Sequence, residues 1–202
     1  MYWHFSENVG YSKQWLSEEE IKRIIDLPNL DEKYEVWILL MYSSALRVTE
    51  ATNVRVRDLN LEKREINIVG GKKRTSDDIE PVPCGIDVLK RIKRYCDRSD
   101  LKPSDFVMYS NKGKQVTRSW VYRKLNDLCA EAVINKKVGT HTLRRSRASH
   151  MLGKGVTLAR VSKMLRHKNP ATTMLYLKIT TADIWKELDA VGDMDNILKD
   201  VV

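Results

Sequence analysis

The stretch from His141 to Tyr176 constrains this chain more than any other, because glycines and a proline cut it into consecutive short helices. It reads H-T-L-R-R-S-R-A-S-H-M-L, then G-K-G-V-T-L-A-R-V-S-K-M-L-R-H, then K-N-P-A-T-T-M-L-Y. Thr140 or Thr142 can open the first helix, on which His141 and Arg144 sit three apart and so share a face. Gly153 and Gly155 break the chain, and Thr157 caps a short helix whose Val161, Met164 and Leu165 face inward. Arg166 and His167 follow at its end, Pro170 starts another helical turn, and Tyr176 lies on that turn. Two imidazoles, an arginine and a phenol delivered together suit chemistry on an anion, with no metal needed.

At 202 residues the chain fits one domain and can bury a core of its own. An apolar content of 42% argues against disorder. No apolar run approaches the roughly 18 residues that mark a membrane-spanning helix. The N-terminal M-Y-W-H-F-S-E lacks the basic start and apolar run of a secretory signal. Cys84, Cys96 and Cys129 are odd in number, far apart and without C-x-x-C spacing, which predicts reduced thiols in an intracellular protein. The net charge of +9 is unevenly spread: residues 111–178 hold 16 Lys/Arg against 2 Asp/Glu, whereas residues 1–62 hold 7 against 11. A basic run is often only a solvated helix face. This ratio, in the stretch that also holds the candidate site, favours a polyanion partner bound by neutralising phosphates and releasing counterions.

Along the chain, residues 1–14 have no clear period and read as an N-terminal arm or linker. Ser17 to Glu20 form a capping box for a helix with Ile21, Ile24 and Ile25 inward. A second helix is predicted from about Glu32 to Leu46, burying Val36, Trp37, Leu40 and Met41, and ending in a tight bend where Arg47 and Glu50 can form a plain ion pair. Arg57 to Asn60 reads as a turn. Arg64–Val69 and Ile79–Val82 read as paired strands around the polar loop Gly70–Asp78, whose glycines let a lysine swing over a ligand, or whose Lys72, Lys73 and Arg74 merely solubilise a hairpin tip. Ile86–Cys96 is an amphipathic helix, Asp105–Tyr109 a short strand, and Thr117 caps a helix carrying Arg118, Arg123 and Lys124. Ala182–Val191 is the last long helix. The fold class is mostly α with a small antiparallel β-sheet (α+β).

Three of these motifs together resemble the tyrosine recombinases, the phage-integrase family, over roughly residues 15–185. Ala45-Leu46-Arg47-Val48-Thr49-Glu50 resembles the family's first arginine box, G-L-R-x-S-E; His141-Thr142-Leu143-Arg144 matches H-x-L-R; Leu165-Arg166-His167 with Tyr176 nine residues on is similar to L-G-H…Y. The resemblance implies a recombinase catalytic-domain fold over 15–180. It also implies a site-specific enzyme that breaks and rejoins DNA through a 3′-phosphotyrosyl intermediate. Tyr176 would be the nucleophile, with Arg47 and Arg144 on the phosphate oxygens. A hairpin lysine, Lys72 with Lys73 close behind, would protonate the leaving 5′-oxygen, while His141 assists proton transfer and His167 donates to the phosphate. A phenol of pKa about 10 needs such an electropositive setting, and fixed guanidinium donors meet the charge of a pentavalent transition state. Glu50 would orient Arg47. Lys73, Arg74, Arg118, Arg123, Lys124 and Arg145 would contact DNA.

No cofactor follows from the resemblance: neither metal nor ATP is implied, and His141, His150 and His167 lack the close spacing of a zinc site. His150 fits a packing contact. The implied partners are double-stranded DNA at a specific recombination site and copies of the same chain, tetrameric on DNA and monomeric or weakly associated without it, with no membrane. The acidic helical tail 181–202 would dock on a neighbouring protomer or fold back in cis. The implied place is a cytoplasmic, nucleoid-associated setting of prokaryotic, viral or mobile-element origin. Three departures stand out: Arg166 in place of a glycine, Ser44-Ala45 in place of T-G, and a long hairpin loop. Members usually carry a DNA-clamping domain in front, whereas only 16 residues precede Ser17 here. The chain therefore reads as a catalytic-domain fragment or a short stand-alone member. The other readings are a type IB topoisomerase-like DNA-relaxing enzyme and a non-catalytic DNA-binding protein with a decayed site.

Overall fold

Ser17 sets where the described chain becomes regular. Its hydroxyl accepts from Glu20 N at 3.1 Å while the Glu20 carboxylate accepts from Ser17 N at 2.7 Å, and helix α1 (Glu18–Ile25) follows with Ile21 and Ile24 buried. The computed structural model describes residues 15–69 and 79–166. The arm 1–14, the loop Gly70–Asp78, and everything from His167, including the predicted helices at Pro170 and Ala182–Val191, lie outside the described residues.

Helix α2 (Glu32–Ser43) is capped by the Asp31 carboxylate on Lys33 N at 2.9 Å. It buries Val36, Trp37, Leu40 and Met41 as predicted, and Ile38 as well, which lies beside Val121, Leu125 and Leu128. It stops short of the predicted Leu46. Ala45 takes a left-handed φ of 48°, with Ala45 N donating to Tyr42 O at 3.2 Å and Leu46 N to Met41 O at 3.1 Å, the paired bonds of a Schellman ending. The bend then tightens into a single turn, α3 (Val48–Ala51), which sequence periodicity is too short to reveal.

The sheet has three antiparallel strands rather than the predicted two. β1 (Leu59–Asn60) pairs with β2 (Glu65–Val69), which pairs with β3 (Ile79–Pro83). Leu59 and Asn60, read as a turn, stand opposite Ile66 and Glu65. A two-residue strand carries no alternation to detect. Arg64 lies outside β2 with φ 55°, while Ile66 and Ile68 turn inward. Pro81 and Pro83 suit β3 to the edge, where a missing N–H breaks no ladder.

Helix α4 (Ile86–Arg98) runs two residues past the predicted Cys96 and buries Leu89, Ile92, Tyr95 and Cys96. The strand expected over Asp105–Tyr109 is absent. Only the isolated bridges Arg55 to Phe106 and Tyr109 to Gln115 form there, so the apolar run reflects burial of Val107 and Met108 in an irregular segment. Thr117 caps α5 (Arg118–Glu131), accepting from Trp120 N at 3.2 Å. Helix α6 (Thr142–Gly153) includes Gly153, so the break falls at Gly155, with φ 79°. Helix α7 (Leu158–Leu165) begins after Thr157, whose side chain makes no capping bond.

One large core joins α1, α2, α4, α5 and the sheet. A second, small cluster of Ala45, Ala148, Val161 and Leu165 fastens α7 and the bend to α6. All three cysteines are free and buried, and burial pushes the Cys96 and Cys129 thiols up to about 11. Among the described residues no helix is long and apolar enough to cross a membrane. The result is a mostly helical domain with one small antiparallel sheet.

Candidate active site

Glu50 sits at the third position of α3, from which a carboxylate reaches back to the residue that opens the helix. It accepts from Arg47 N at 2.7 Å and from Arg47 Nη1 at 2.5 Å. Arg144 enters from the first turn of α6 and is only 3% exposed. Its Nη1 donates to Ala45 O at 2.8 Å, its Nη2 donates to Leu165 O, and Nη1 stands 3.9 Å from Glu50 Oε2. Both carbonyls lie where a helix ends and backbone acceptors are free, at the close of α2 and of α7. Arg144 therefore pins three segments at one point, and the small apolar cluster holds those segments in register.

A third guanidinium joins them. Arg166 ends α7 in the left-handed region, φ 53° and ψ 47°. Its Nη2 donates to Glu50 Oε2 at 2.6 Å, its Nη1 donates to Met164 O at 3.0 Å, and Arg47 Nη2 donates to the Arg166 carbonyl at 3.3 Å. Burial alone would raise the Glu50 carboxyl. The Arg166 charge and the hydrogen bonds from Arg47 outweigh it and hold Glu50 below the usual carboxylate range.

His141 occupies the N-cap of α6, so neither threonine is the capping residue of that helix. Thr142 is its first residue, and its hydroxyl accepts from Gly139 N at 2.8 Å. Loss of hydration lowers the His141 pKa first, followed by repulsion from Arg145, Arg144, Arg118 and Arg47. The imidazole is thus neutral at pH 7, and the same cations place Arg118 and Arg145 around it. Arg123 is exposed on α5. Lys124 lies over the Tyr34 ring at 4.3 Å, beside Trp37 and Trp120. His150 Nδ1 is 2.8 Å from the Tyr42 hydroxyl, within the packing of α6 on α2. Among the described residues no group of His, Cys, Asp and Glu could hold a metal ion. Lys72, Lys73, Arg74, His167 and Tyr176 lie outside the described residues.

Arg47, Glu50, His141 and Arg144 are thus gathered from α3 and α6. The sequence reading missed the carbonyls of Ala45 and Leu165 as arginine acceptors, and Glu80, 3.7 Å from Arg166 Nε. Arg166 had a visible signal, an arginine where the resembled box has glycine.

The sequence matches the model of the phage integrase family over residues 14–182. The chain belongs to that family. Among phage integrase family relatives, the tyrosine recombinase XerA of Pyrococcus furiosus is 32% identical over 186 residues, covering 91% of this chain and 63% of the relative. The tyrosine recombinase XerD of Pseudomonas putida is 28% identical over 176 residues, covering 83% and 58%. The chain thus spans less than two thirds of these curated relatives. A crystal structure of XerA recombinase superposes with a TM-score of 0.75 at 27% identity, covering 88% of this chain and 64% of that one. The Tn1549 transposon integrase in complex with transposon right end DNA has a TM-score of 0.72 at 16% identity, covering 91% and 68%, a likeness of fold alone.

Proposed function

We propose that this chain is the catalytic domain of a site-specific DNA recombinase, acting through a 3′-phosphotyrosyl intermediate. The observation that carries the reading is the convergence of Arg47 and Arg144 on one carboxylate, with His141 at the start of α6 among the same cations. Fixed guanidiniums bind the two non-bridging oxygens of a phosphodiester and stabilise the charge that grows as the phosphorus becomes five-coordinate. An imidazole whose neutral form is favoured by burial and neighbouring cations can take a proton as a phenol attacks.

Tyr176 is the proposed nucleophile, Lys72 the proton donor to the departing 5′-oxygen, and His167 a further phosphate donor. These three roles rest on the family motif. Attack by Tyr176 forms the phosphotyrosyl bond and releases a 5′-hydroxyl. A 5′-hydroxyl from another strand reverses the step, so bond energy is conserved without a nucleotide. The names of the relatives, tyrosine recombinases, support the DNA substrate.

We propose further that the tail 181–202 docks on a neighbouring protomer to build a tetramer on DNA, in a cytoplasmic, nucleoid-associated setting. Its charge of 2 Lys/Arg to 6 Asp/Glu over residues 179–202 opposes the basic site region. Deleting residues 183–202 should abolish synapsis while leaving duplex binding; intact synapsis overturns the tail's role.

The deciding experiment is covalent trapping on a nicked suicide duplex drawn from DNA flanking the gene. A denaturant-resistant, protease-sensitive adduct in wild type and none in Tyr176→Phe is the expected result. No adduct from wild type on any flanking substrate overturns it. Joined products between two sites, rather than relaxation of supercoils alone, distinguish strand exchange from a topoisomerase.

A further inference from the structure

An arginine is an unfavourable choice for the end of α7. A left-handed backbone costs an L-residue about 1–2 kcal/mol, which glycine escapes. Yet Arg166 holds φ 53° with its side chain 7% exposed, so its surroundings compensate. Two of its nitrogens are satisfied, by Glu50 Oε2 and by Met164 O. Its Nε, buried and without a hydrogen-bond acceptor among the described residues, faces Glu80 Oε2 of β3 at 3.7 Å.

The three guanidiniums around Glu50 differ in access. Arg144 and Arg166 are 3% and 7% exposed, whereas Arg47 is 37% exposed and is the one an incoming anion reaches first. A carboxylate paired with Arg47 alone would cancel much of that attraction. The Arg166 charge bears on the same carboxylate, and the Arg166 carbonyl, aimed by the left-handed backbone, accepts from Arg47 Nη2.

We propose that Arg166 is a positioning residue for the phosphate site: it holds Glu50, so that Arg47 keeps net positive charge for a DNA phosphate, and it ties that site to β3 through Glu80. A glycine at this position could supply the backbone geometry but neither link. The DNA half of this inference rests on the recombinase reading; the hold on Glu50 does not.

The test uses Arg166→Met, which keeps the stem and removes the charge, and Arg166→Lys, which keeps a charge. In NMR titrations of the side-chain carboxyls without DNA, Glu50 should titrate higher in Arg166→Met and stay depressed in Arg166→Lys. On the suicide duplex, Arg166→Met should slow single-turnover adduct formation on the order of tenfold with duplex affinity nearly unchanged. In a Glu50→Gln background, where no carboxylate remains to be held, the same change should have little effect. An unmoved Glu50 titration in Arg166→Met overturns the proposal, as does an equal slowing in both backgrounds, which marks a merely structural role. If wild type forms no adduct, the recombinase reading fails and the Glu50 titration decides the proposal alone. Arg166→Gly, suited to φ 53°, carries the same tests should the methionine variant not fold.

Discussion

Glu50 shows how one carboxylate can set the properties of a site. Held below its ordinary value by Arg166 and Arg47, it contributes stability that is fully present above the unfolded glutamate value of about 4.3 and is lost as pH falls through the lower folded value. Glu50→Gln should therefore be less stable than wild type by about 2 kcal/mol at pH 7 in urea unfolding, since it removes one partner of a buried ionic group. The gap should narrow as pH falls below the unfolded glutamate value of about 4.3 and through the lower folded value, where wild type also loses the charge. A constant gap from pH 7 to pH 3 would show that Glu50 acts by shape and not by charge. His141 follows the opposite chemistry to a related end. Its depressed pKa keeps it neutral, so its contribution to stability is present above the unfolded value of about 6.5 and falls as pH drops through that value toward the folded one. Arg145 is the largest charge acting on it, so Arg145→Met should raise the His141 midpoint in an NMR titration, and the acid limb of adduct formation should move up with it. A midpoint that stays put would show that burial and the other arginines, not Arg145, set the His141 value.

Helix ends set the geometry of the site in this fold. Helices α2, α4, α5 and α6 each close with paired backbone bonds around one left-handed residue, and those residues are Ala45, Asp100, Val133 and Gly155. A glycine is the signal a reader looks for there, and only α6 provides it. That is why α2 and α4 were misjudged at their ends, and why α3, a single turn with no period, was invisible. Arg47, Glu50, His141 and Arg144 were legible because their motifs lie on short local segments. Their acceptors were not, because Ala45 O and Leu165 O become available only once two helix ends meet. Val133 and Ala45 separate strain from packing. Val133 is β-branched, 82% exposed and held at φ 55°, so Val133→Gly should raise stability by about 1 kcal/mol, the relieved strain exceeding the added freedom of the unfolded chain. Ala45 is fully buried in the small cluster, so Ala45→Gly loses a packed methyl and should bring no such gain. Equal melting shifts for the two variants would contradict this account.

Across the whole molecule, charge is sorted by where it is neutralised. The acidic N-terminal third pairs inward: Glu20 takes Lys136 at 2.6 Å, Glu18 takes Lys154 at 2.6 Å, and Glu35 takes Arg91 at 2.7 Å. Those pairs tie α1 and α2 to later elements and remove basic groups from the pool available to a polyanion. Arg118 and Arg123 on α5, with Arg160 and Lys163 on α7, are exposed and have no ion-pair partner among the described residues. A duplex drawn to this domain should therefore engage α5 chiefly through phosphate neutralisation, which releases counterions and makes affinity fall with salt. Each phosphate contact contributes about 0.9 to the slope of log affinity against log salt. Removing Arg118 and Arg123 together, as glutamines, should make that slope shallower by about 2 on any duplex sequence. Lys22→Gln, on α1 and already paired with Asp26, should leave the slope unchanged. An unaltered slope and an unaltered affinity in the α5 double variant would mean that α5 faces away from the DNA and that the domain binds through another surface.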